Sequence, residues 1–574
     1  MSYLSALRLH FAGQFVADVP TIDNKLANHD RASKGNAIPD NDPDAGFNPR
    51  GPGKFNFQGC TVRSAFYQDG TAANNDLVIG MSVMDAGAGP AAKIVDLDPQ
   101  ETSKPMIYGL TLRLLDAANN VVLRGQFESA AARDLWARCP GAGGFTSSGG
   151  AMFQSVLTDL RWPNPAVSSS QKTLAGSSFL YQLYQVAANG GKLSIKFNLD
   201  AFFQQNLGRI VGTLGPFKYG EPHHFIRGRH MLAPLNPNGT PQNSIFHTVA
   251  VLDSARKSVL VDLGNSLPTD AVALPSAHSS GTLTDLGQVN LVYDKLSNNG
   301  NLIQRVSLQQ INYTQPNWYE SSAGVIDVPV TQTQFDDLQK APLGVTSQQP
   351  NAAAVLAVTE APGGLFVQSE TAVSRLDPTY TSTKKKKIKL LVTEYGNPRA
   401  GARLVMQISA PGPVAGLSTD PSAITASNGW ATVELRADAT VDPAGQQRQF
   451  MHSGIFRVRC ALDQTNLSDT ISVLVWELFK PEAGNPTWWG TVQPIFQTYS
   501  ILFPFMKNIV DLSDYNQVCA KRKDIIAVLS LSDEDPHQMP VTRDLAPSGR
   551  KAILKWLKHL GPDGNPLLGT PPTN

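Results

Sequence analysis

Residues 4–24 read LSALRLHFAGQFVADVPTIDN, and this stretch sets the pattern for most of the chain. Apolar and polar residues alternate along it, which is typical of a half-buried β-strand. Gly13 interrupts the alternation, and the Asp-, Pro- and Asn-containing end favours a turn. The stretch therefore predicts two strands separated at Gly13, and since it begins almost at Met1 we expect the first folded domain to begin there.

Length and composition extend this prediction to the whole chain. A chain of 574 residues exceeds what one hydrophobic core supports, so we expect three or more domains. The 47 glycines and 40 prolines, with only 17% charged residues, favour strands joined by many turns. The predicted fold class is mainly β, with a large antiparallel front region of one or two sandwich- or barrel-like domains, an immunoglobulin-like β-sandwich and a small C-terminal helical region.

The patterns divide the chain into five parts. Residues 1–190 form a β domain with a long polar loop at 28–52, and residues 191–375 form a second β domain or continue the first. Residues 380–480 carry about six short strands at spacings near ten residues, the pattern of an immunoglobulin-like sandwich. Residues 486–560 change to helical spacing, and residues 561–574 form a Pro- and Gly-rich tail.

Shorter patterns predict individual elements inside these parts. Residues 128–138, ESAAARDLWAR, favour one short helix. Residues 192–199 alternate cleanly and predict a half-buried strand, and the Asn-Asn-Gly turn at 298–300 predicts a hairpin. Residues 324–330 contain Pro329, which favours a strand at the edge of a sheet.

The net charge and the number and spacing of cysteines indicate which cellular compartment and which binding partners to expect. The net charge of +1 creates no field for nucleic acid or an anionic membrane, and the lysines at 384–387 are interpreted as a solvated linker. No run approaches 18 apolar residues, so we expect no membrane-spanning helix. The four cysteines show no metal-site spacing, and the N-terminus has no signal-peptide pattern. These observations predict a soluble, cytoplasmic protein.

Histidines and carboxylates supply the candidate site residues. Candidates for catalysis are His10, Asp96, Asp98 and His247. His10 lies on the strand face opposite Leu9 and Phe11, and alternation places Asp96 and Asp98 on one face, as paired carboxylates for acid–base chemistry or a cation would require. The alternatives are a histidine hydrogen-bonded at a strand end and carboxylates that cap a turn.

A second group of candidates lies in residues 221–230, EPHHFIRGRH. Glu221, His224 and His230 are candidates for a metal or haem site. In an extended chain His224 and His230 lie about 20 Å apart, so a shared ion requires the chain to fold back at Gly228. The alternative is a polar loop with stacked His and Arg side chains. The chain carries no GxSxG, Walker, HExxH or dinucleotide-binding motif, which disfavours the usual hydrolases and NAD enzymes.

Several segments, in order along the chain, resemble one family, that of VioB and the chromopyrrolate synthases (iminophenyl-pyruvate dimer synthases). The segments are LRLHFAGQFVADVPTIDN at 7–24, FNFQGCTVRSAFYQD at 55–69, IVDLDP at 94–99 with Tyr108 and Gly109, residues 243–251, GVIDVPV at 324–330, YSILFPFM at 499–506 and MPVTRDL at 539–545. The resemblance thus spans nearly the whole chain. It implies the β half of such a synthase.

The same resemblance limits which properties of the family we expect in this chain. Family members continue into a ferritin-like helical half with Glu and His metal motifs, and this sequence shows no such helical half before Asn574. Their reaction couples two imines derived from tryptophan or a similar amino acid. Iron or haem is implied as a cofactor by the family alone, and no ligand for either is assigned here.

Three functional hypotheses follow. The first is a VioB-like β scaffold without its ferritin-like half, acting as a binding or structural module and forming a homo-oligomer. The second is a component of a split oxidative imine-coupling synthase of secondary metabolism, working with a separate ferritin-like or haem partner. The third is a stand-alone enzyme with its site at His10, Asp96, Asp98 and His247.

Overall fold

A computed structural model shows a mainly β protein, 45% strand and 14% helix, which confirms the predicted fold class. No helix in the part of the chain described below is long and apolar enough to cross a membrane. The structure describes residues 2–20, 48, 51–87, 91–97, 104–139, 148–163, 167–168, 170–204, 206–272, 278–297, 299–379, 384–409, 416–437, 454–476, 479 and 482–572.

The front region is an antiparallel barrel with added strands and one helix, α1 (Ser178–Gly190). Its strands are β1 (Arg8–Ala17), β2 (Lys54–Phe66), β3 (Ser82–Met84), β4 (Ala92–Val95), β5 (Met106–Tyr108), β6 (Thr111–Leu115), β7 (Val121–Phe127), β8 (Ala130–Ala131), β9 (Arg133–Ala137), β10 (Gly149–Arg161), β11 (Val167–Ser168), β12 (Thr173–Leu174), β13 (Leu193–Gln204) and β14 (Leu207–Pro216).

Eight of these strands close into a ring. The order is β1-β14-β13-β10-β7-β6-β3-β2, and β1 closes it because it pairs with both β14 and β2. Residues 193–216 therefore belong to the first domain, and the boundary expected at residue 190 lies inside this front barrel. Closure removes the free sheet edges that an open sheet would present to other chains.

Phenylalanines fill the barrel. The ring of Phe197 lies 6.2 Å from that of Phe55 and 5.6 Å from that of Phe153, and Phe15 packs on Phe55. The opening stretch is one strand, not two. Gly13 sits at an irregularity in the β1–β2 pairing, where an added Cβ would lie 2.6 Å from the Cα of Cys60, so the close approach of the two strands requires glycine.

The second unit, called the middle sheet, is an open eight-stranded antiparallel sheet in the order β21-β20-β23-β24-β15-β16-β17-β22. Its edge strand β22 and its β20–β21 hairpin confirm two of the element predictions. The elements are β15 (Arg229–Leu232), β16 (Thr248–Asp253), β17 (Ser258–Asp262), the hairpin β18 (Thr269–Val272) and β19 (His278–Leu283), β20 (Gln288–Leu296), β21 (Leu302–Ile311), α2 (Trp318–Ser322), β22 (Val325–Pro329), α3 (Gln332–Leu338), β23 (Leu343–Gln348) and β24 (Val355–Glu360).

The third unit is the expected sandwich of two sheets, and it begins earlier than residue 380. The sheets are β25-β27-β32-β30 and β26-β34-β33-β29-β31, with β26 and β34 parallel. Val367 and Leu376 lie in its core, so their strands belong to it. The strands are β25 (Leu365–Ser369), β26 (Val373–Leu376), β27 (Lys385–Glu394), β28 (Asn397–Pro398), β29 (Arg403–Ser409), β30 (Leu417–Thr419), β31 (Ser422–Ile424), β32 (Trp430–Ala437), β33 (Gly454–Leu462) and β34 (Ser468–Val475).

The helical region follows the sandwich and has its own core around Trp488 and Trp556, whose rings lie 5.6 Å apart. The residues near 561–572, expected as a tail, return to this core, because Leu567 O accepts from both Trp488 N and Trp556 Nε1. The helices are α4 (Gln493–Leu502), α5 (Tyr515–Ala520), α6 (Arg522–Leu529) and α7 (Pro547–Lys558), preceded by a wide turn at Trp488–Val492.

The helix predicted over residues 128–138 is wrong, because this segment forms β8 and β9. Local preference for helix is outweighed here by long-range contacts. Trp136 stacks on Phe246 at 4.9 Å, and Arg138 Nε donates to Leu267 O at 2.5 Å. Asp134 adopts a φ of 49°, which no helix continues through.

Candidate functional site

A cavity of about 330 Å³ lies where the front barrel, the middle sheet and the sandwich meet, and we call it the junction cavity. Its volume is in the range of small-molecule sites, and clefts between domains are a common place for such sites. Each of the three units contributes side chains. They include Tyr3, Lys196, His230, His247, Asp262 and Phe366.

Strand β13 brings a buried lysine to this cavity. Ile195 and Phe197 point into the barrel, so alternation turns Lys196 to the outer face, where the middle sheet covers it. Its Nζ lies 2.9 Å from Oδ1 of Asp262, and the lysine is fully buried. Tyr3 donates its hydroxyl to the other carboxylate oxygen at 2.6 Å.

Burial and pairing set the charges of this triad. Burial lowers the pKa of the Lys196 ammonium, and the ion pair with Asp262 opposes that shift. Burial, and then the carboxylate of Asp262, raise the pKa of the Tyr3 hydroxyl well above its ordinary value. The triad is therefore an ion pair with a neutral tyrosine, and it adds no net charge to the cavity.

Lys196 belongs to a polar row that crosses four strands on the outer face of the barrel. In the strand register Gln154 lies opposite Lys196, Lys196 opposite Thr213, and Thr213 opposite His10. Side chains directly opposite each other on antiparallel strands are neighbours. The row therefore connects the opening stretch of the sequence to the junction cavity.

His10 is the far end of this row and is fully buried. Arg8 Nε donates to His10 Nε2 at 3.2 Å, so Nδ1 carries the proton and donates to Thr213 Oγ1 at 2.8 Å. Burial, and then the charges of Arg8 and Lys196, hold the pKa of His10 well below its ordinary value. Both ring nitrogens are thus occupied in a neutral imidazole.

Two histidines that the sequence assigned to different groups line the junction cavity together. His230 donates from Nε2 to Ile226 O at 3.0 Å and stacks on Phe366 at 3.6 Å, and burial lowers its pKa to about 4. His247 Nδ1 accepts from Ala233 N at 2.9 Å, and burial lowers its pKa as well. The cavity thus presents two neutral imidazoles.

The structure does not bring the proposed metal ligands together. Glu221 pairs with Arg227 at 3.2 Å, His224 contacts Glu128 at 3.3 Å, and His230 lies in the junction cavity. No group of three His, Cys, Asp or Glu side chains in the described ranges is placed to hold a metal ion. Residues 221–228 form a loop, and Arg229 and His230 begin β15, so these residues do not fit an iron or haem site, and no chemical step is assigned to either group.

Asp96 does not line the junction cavity. Asp96 follows β4 and accepts a hydrogen bond from Lys104 N at 3.2 Å, which is the turn-capping role of the alternative interpretation. Asp98 lies outside the described residues. The predicted constellation of His10, Asp96 and His247 is therefore not one site among the residues whose positions are described.

Three lining side chains carry buried polar atoms without a partner in the described part of the chain. These atoms are Nε2 of Gln154, Oδ1 of Asn265 and Oε1 of Gln368. An unsatisfied buried donor or acceptor costs about 1–3 kcal/mol. One donor and two acceptors among the side chains that line the cavity are therefore unsatisfied.

Sequence reasoning missed Gln154, Lys196 and Asn265. The segment LSIKFNLD at 193–200 did carry a signal, because Lys196 and Asn198 alternate with strongly apolar residues. A strand whose second face is polar is normally read as solvent-exposed. Only the docking of the middle sheet reveals that this face is buried.

A second buried charge cluster fixes the geometry around the cavity. Asp200, two strand positions beyond Asn198, pairs with both Arg138 and Arg209, and Arg209 Nε lies 2.9 Å from its Oδ1. The ring of Tyr319, in α2, lies beneath both guanidinium groups. Charged groups buried this completely hold their partners in one geometry, so the cluster locks the barrel to the middle sheet.

The chain matches no protein-family model and no curated protein. Among solved structures it is similar to the D0-D1 domains of intimin (10% identity over 38% of this chain and 90% of that chain, TM-score 0.16). It is also similar to Drosophila N-cadherin EC1-3 (11% identity over 43% of this chain and 88% of that chain, TM-score 0.15). A third similar structure is E. coli alpha-2-macroglobulin (10% identity over 73% of this chain and 26% of that chain, TM-score 0.15). Likeness at these TM-scores carries no argument about activity.

Proposed function

We propose that this chain is a VioB-like β scaffold that acts as a binding module, with the junction cavity as its ligand site. One observation carries the proposal: Gln154, Asn265 and Gln368 line a cavity built by three units, and each carries an unpartnered buried polar atom. Buried polar groups in folded proteins are nearly always satisfied, so such atoms mark a place for a ligand.

The lining defines the class of molecule that would bind. The ion pair of Lys196 with Asp262 is internally neutral, and both cavity histidines are neutral imidazoles. Asp134 and Asp469 add two further carboxylates, of which Asp469 lies 3.9 Å from Arg133. Phe225 and Phe366 add flat apolar walls. A molecule with an aromatic body and both a donor and an acceptor, such as an aromatic amino acid, matches this surface.

The test is direct binding with a matched pair of variants. Isothermal titration calorimetry with L-phenylalanine and L-tryptophan is expected to give one site in the wild type. Gln154→Leu is expected to weaken binding by about tenfold, because it removes the free donor. The control Gln304→Leu makes the same change on an exposed strand and is expected to have no effect. Absence of binding for every probe, or equal binding by Gln154→Leu, would contradict the proposal.

The alternative proposal is a component of a split oxidative imine-coupling synthase, acting with a separate ferritin-like or haem partner. It is supported by the ordered resemblance along the chain and by the aromatic walls of the junction cavity. An absorbance spectrum and metal analysis of the protein purified from its native host distinguish the two proposals. A haem band, bound iron or co-purification with a helical metalloprotein would favour the synthase component.

We further propose that the protein is cytoplasmic and forms a homo-oligomer. The compartment is supported by Cys60, Cys460 and Cys519, which are free thiols. The oligomer is tested by light scattering coupled to size-exclusion chromatography at several protein concentrations. A monomer at all concentrations would remove the oligomer from the proposal without affecting the ligand site.

A further inference from the structure

The helical region contains a second cavity, separate from the junction cavity, of about 470 Å³. It lies between α4, α6, the segment before α7 and strand β4 of the front barrel, and we call it the helical-region pocket. Aromatic and aliphatic side chains make almost all of its lining. They include Phe496, Phe503, Val510, Ile525, Leu529 and Leu545.

One charged side chain interrupts this apolar surface. Among the described lining residues only Lys93, on β4, is ionised, and its Nζ donates to Pro52 O at 2.8 Å. Tyr499 is the other polar lining residue, and its hydroxyl donates to Asp544 at 3.1 Å. The pocket is therefore amphipathic, with a cation at one wall.

A second cation lies beside Lys93. Arg543 is 3% exposed, its guanidinium donates to the backbone carbonyls of Val541, Asp533 and Asp535, and it lies over the ring of Tyr108. Burial lowers the pKa of both Lys93 and Arg543, and the charge of Arg543 lowers that of Lys93 further. The carboxylates of Asp533 and Glu534 partly offset the charge of Arg543. No carboxylate lies among the described residues that line the pocket, so the half-buried Lys93 has no counter-charge there.

We propose that the helical-region pocket binds an amphipathic monocarboxylate, with its apolar body among the helices and its carboxylate on Lys93. An apolar cavity of about 150 Å³ holds a benzene-sized molecule, so this pocket has room for an apolar body about three times larger. A neutral apolar molecule would leave Lys93 without a counter-charge in the pocket. A small inorganic anion would leave the apolar walls uncovered.

The probes are dodecanoate and its uncharged analogue dodecanol. Titration calorimetry, or displacement of a fluorescent anilinonaphthalene sulfonate, is expected to show one site for dodecanoate on the full-length protein. Lys93→Met keeps an unbranched side chain, one atom shorter, and removes its charge. The substitution is expected to weaken the binding of dodecanoate by about tenfold or more, because a charge-assisted hydrogen bond is lost, and to leave the binding of dodecanol unchanged.

Two further variants complete the test. Lys523→Met makes the same change at an exposed position of α6 and is expected to bind like the wild type. Val528→Trp places a large side chain in the pocket and is expected to remove binding of both probes while the melting temperature is kept. It also keeps the inference testable if Lys93→Met does not fold.

Three results would overturn the inference. They are a wild type that binds neither probe, a folded Lys93→Met that binds dodecanoate as tightly as the wild type, and a Val528→Trp that still binds. Dimerisation that Val528→Trp abolishes, without any dodecanoate binding, would instead assign the pocket to a second copy of the chain. None of these results bears on the junction cavity, because the two cavities share no lining residue.

Discussion

Replacing Asp200 by Asn is expected to loosen the front barrel from the middle sheet. The carboxylate is buried and compensates two buried guanidinium groups, those of Arg138 and Arg209. Asn keeps the shape of the side chain and removes its charge, so both arginines lose their shared partner. Removing one member of a buried ion pair costs about 3–5 kcal/mol because a charge is left uncompensated.

The structure places this cost at the lower end of that range. Arg209 keeps Glu320 at 3.1 Å, and Arg138 keeps Leu267 O at 2.5 Å and the hydroxyl of Tyr319 at 2.7 Å. These contacts offset part of the loss. We therefore expect a decrease of about 3 kcal/mol in the free energy of unfolding of the unit that contains the interface.

Urea unfolding followed by tryptophan fluorescence measures the change, and hydrogen exchange locates it. Exchange is expected to increase in β19 and α2, since Arg209 holds the carbonyl of Gly281 and the side chain of Glu320. The matched control is Asp270→Asn, an exposed carboxylate on the neighbouring strand β18, with an expected effect below about 0.5 kcal/mol. Equal effects of the two substitutions, or a loss below about 1 kcal/mol for Asp200→Asn, would refute the role given to this cluster.

Three further predictions concern single residues. Burial lowers the pKa of His230 to about 4, so on acidification the unfolded chain binds the proton before the folded chain does. The free energy of unfolding is therefore expected to be at its full value above about pH 6.5 and to fall by about 3 kcal/mol toward pH 4. His230→Phe is expected to flatten the urea midpoints measured across that window, and an unchanged slope would contradict the assignment. Gly13→Ala is expected to lower the free energy of unfolding by about 1–3 kcal/mol, because the added Cβ would collide with the backbone of Cys60. A urea midpoint of the variant equal to that of the wild type would show that β1 and β2 can separate locally. Burial raises the pKa of the Cys60 thiol to about 12, whereas Cys519 is less buried. Iodoacetamide treatment of the native protein is therefore expected to modify Cys519 before Cys60, as measured by mass spectrometry. The reverse order would contradict the burial of β2.

The sequence predicted strands well where one face packs into a core. The alternation in residues 4–17 and 193–200 follows from Phe11, Phe15 and Phe197, which fill the barrel. Barrel closure was not predictable in the same way, because it depends on β1 pairing with β14, about 200 residues later. Local patterns carry no information about pairing at that separation.

In the candidate site, too, single residues were predictable from local patterns and their long-range contacts were not. His247 and His230 were identified as candidates, but their common cavity depends on the pairing of β15 with β16, in which His230 lies opposite Val249. The helix predicted at 128–138 failed because Trp136 and Arg138 find partners more than 100 residues away. Short-range propensity cannot anticipate such contacts.

The polar face of β13 explains why a cavity persists between the three units. Lys196, Asn198 and Asp200 occupy alternate positions on it, and all three are buried by the middle sheet. Apolar side chains at these positions would pack together and close the interface. Ion pairs instead hold Lys196 on Asp262 and Asp200 on its arginines at fixed distances, so neither side chain can move to fill the space beside it. An interface built from buried charges therefore maintains a preformed polar site at a cost in stability that an apolar interface would avoid.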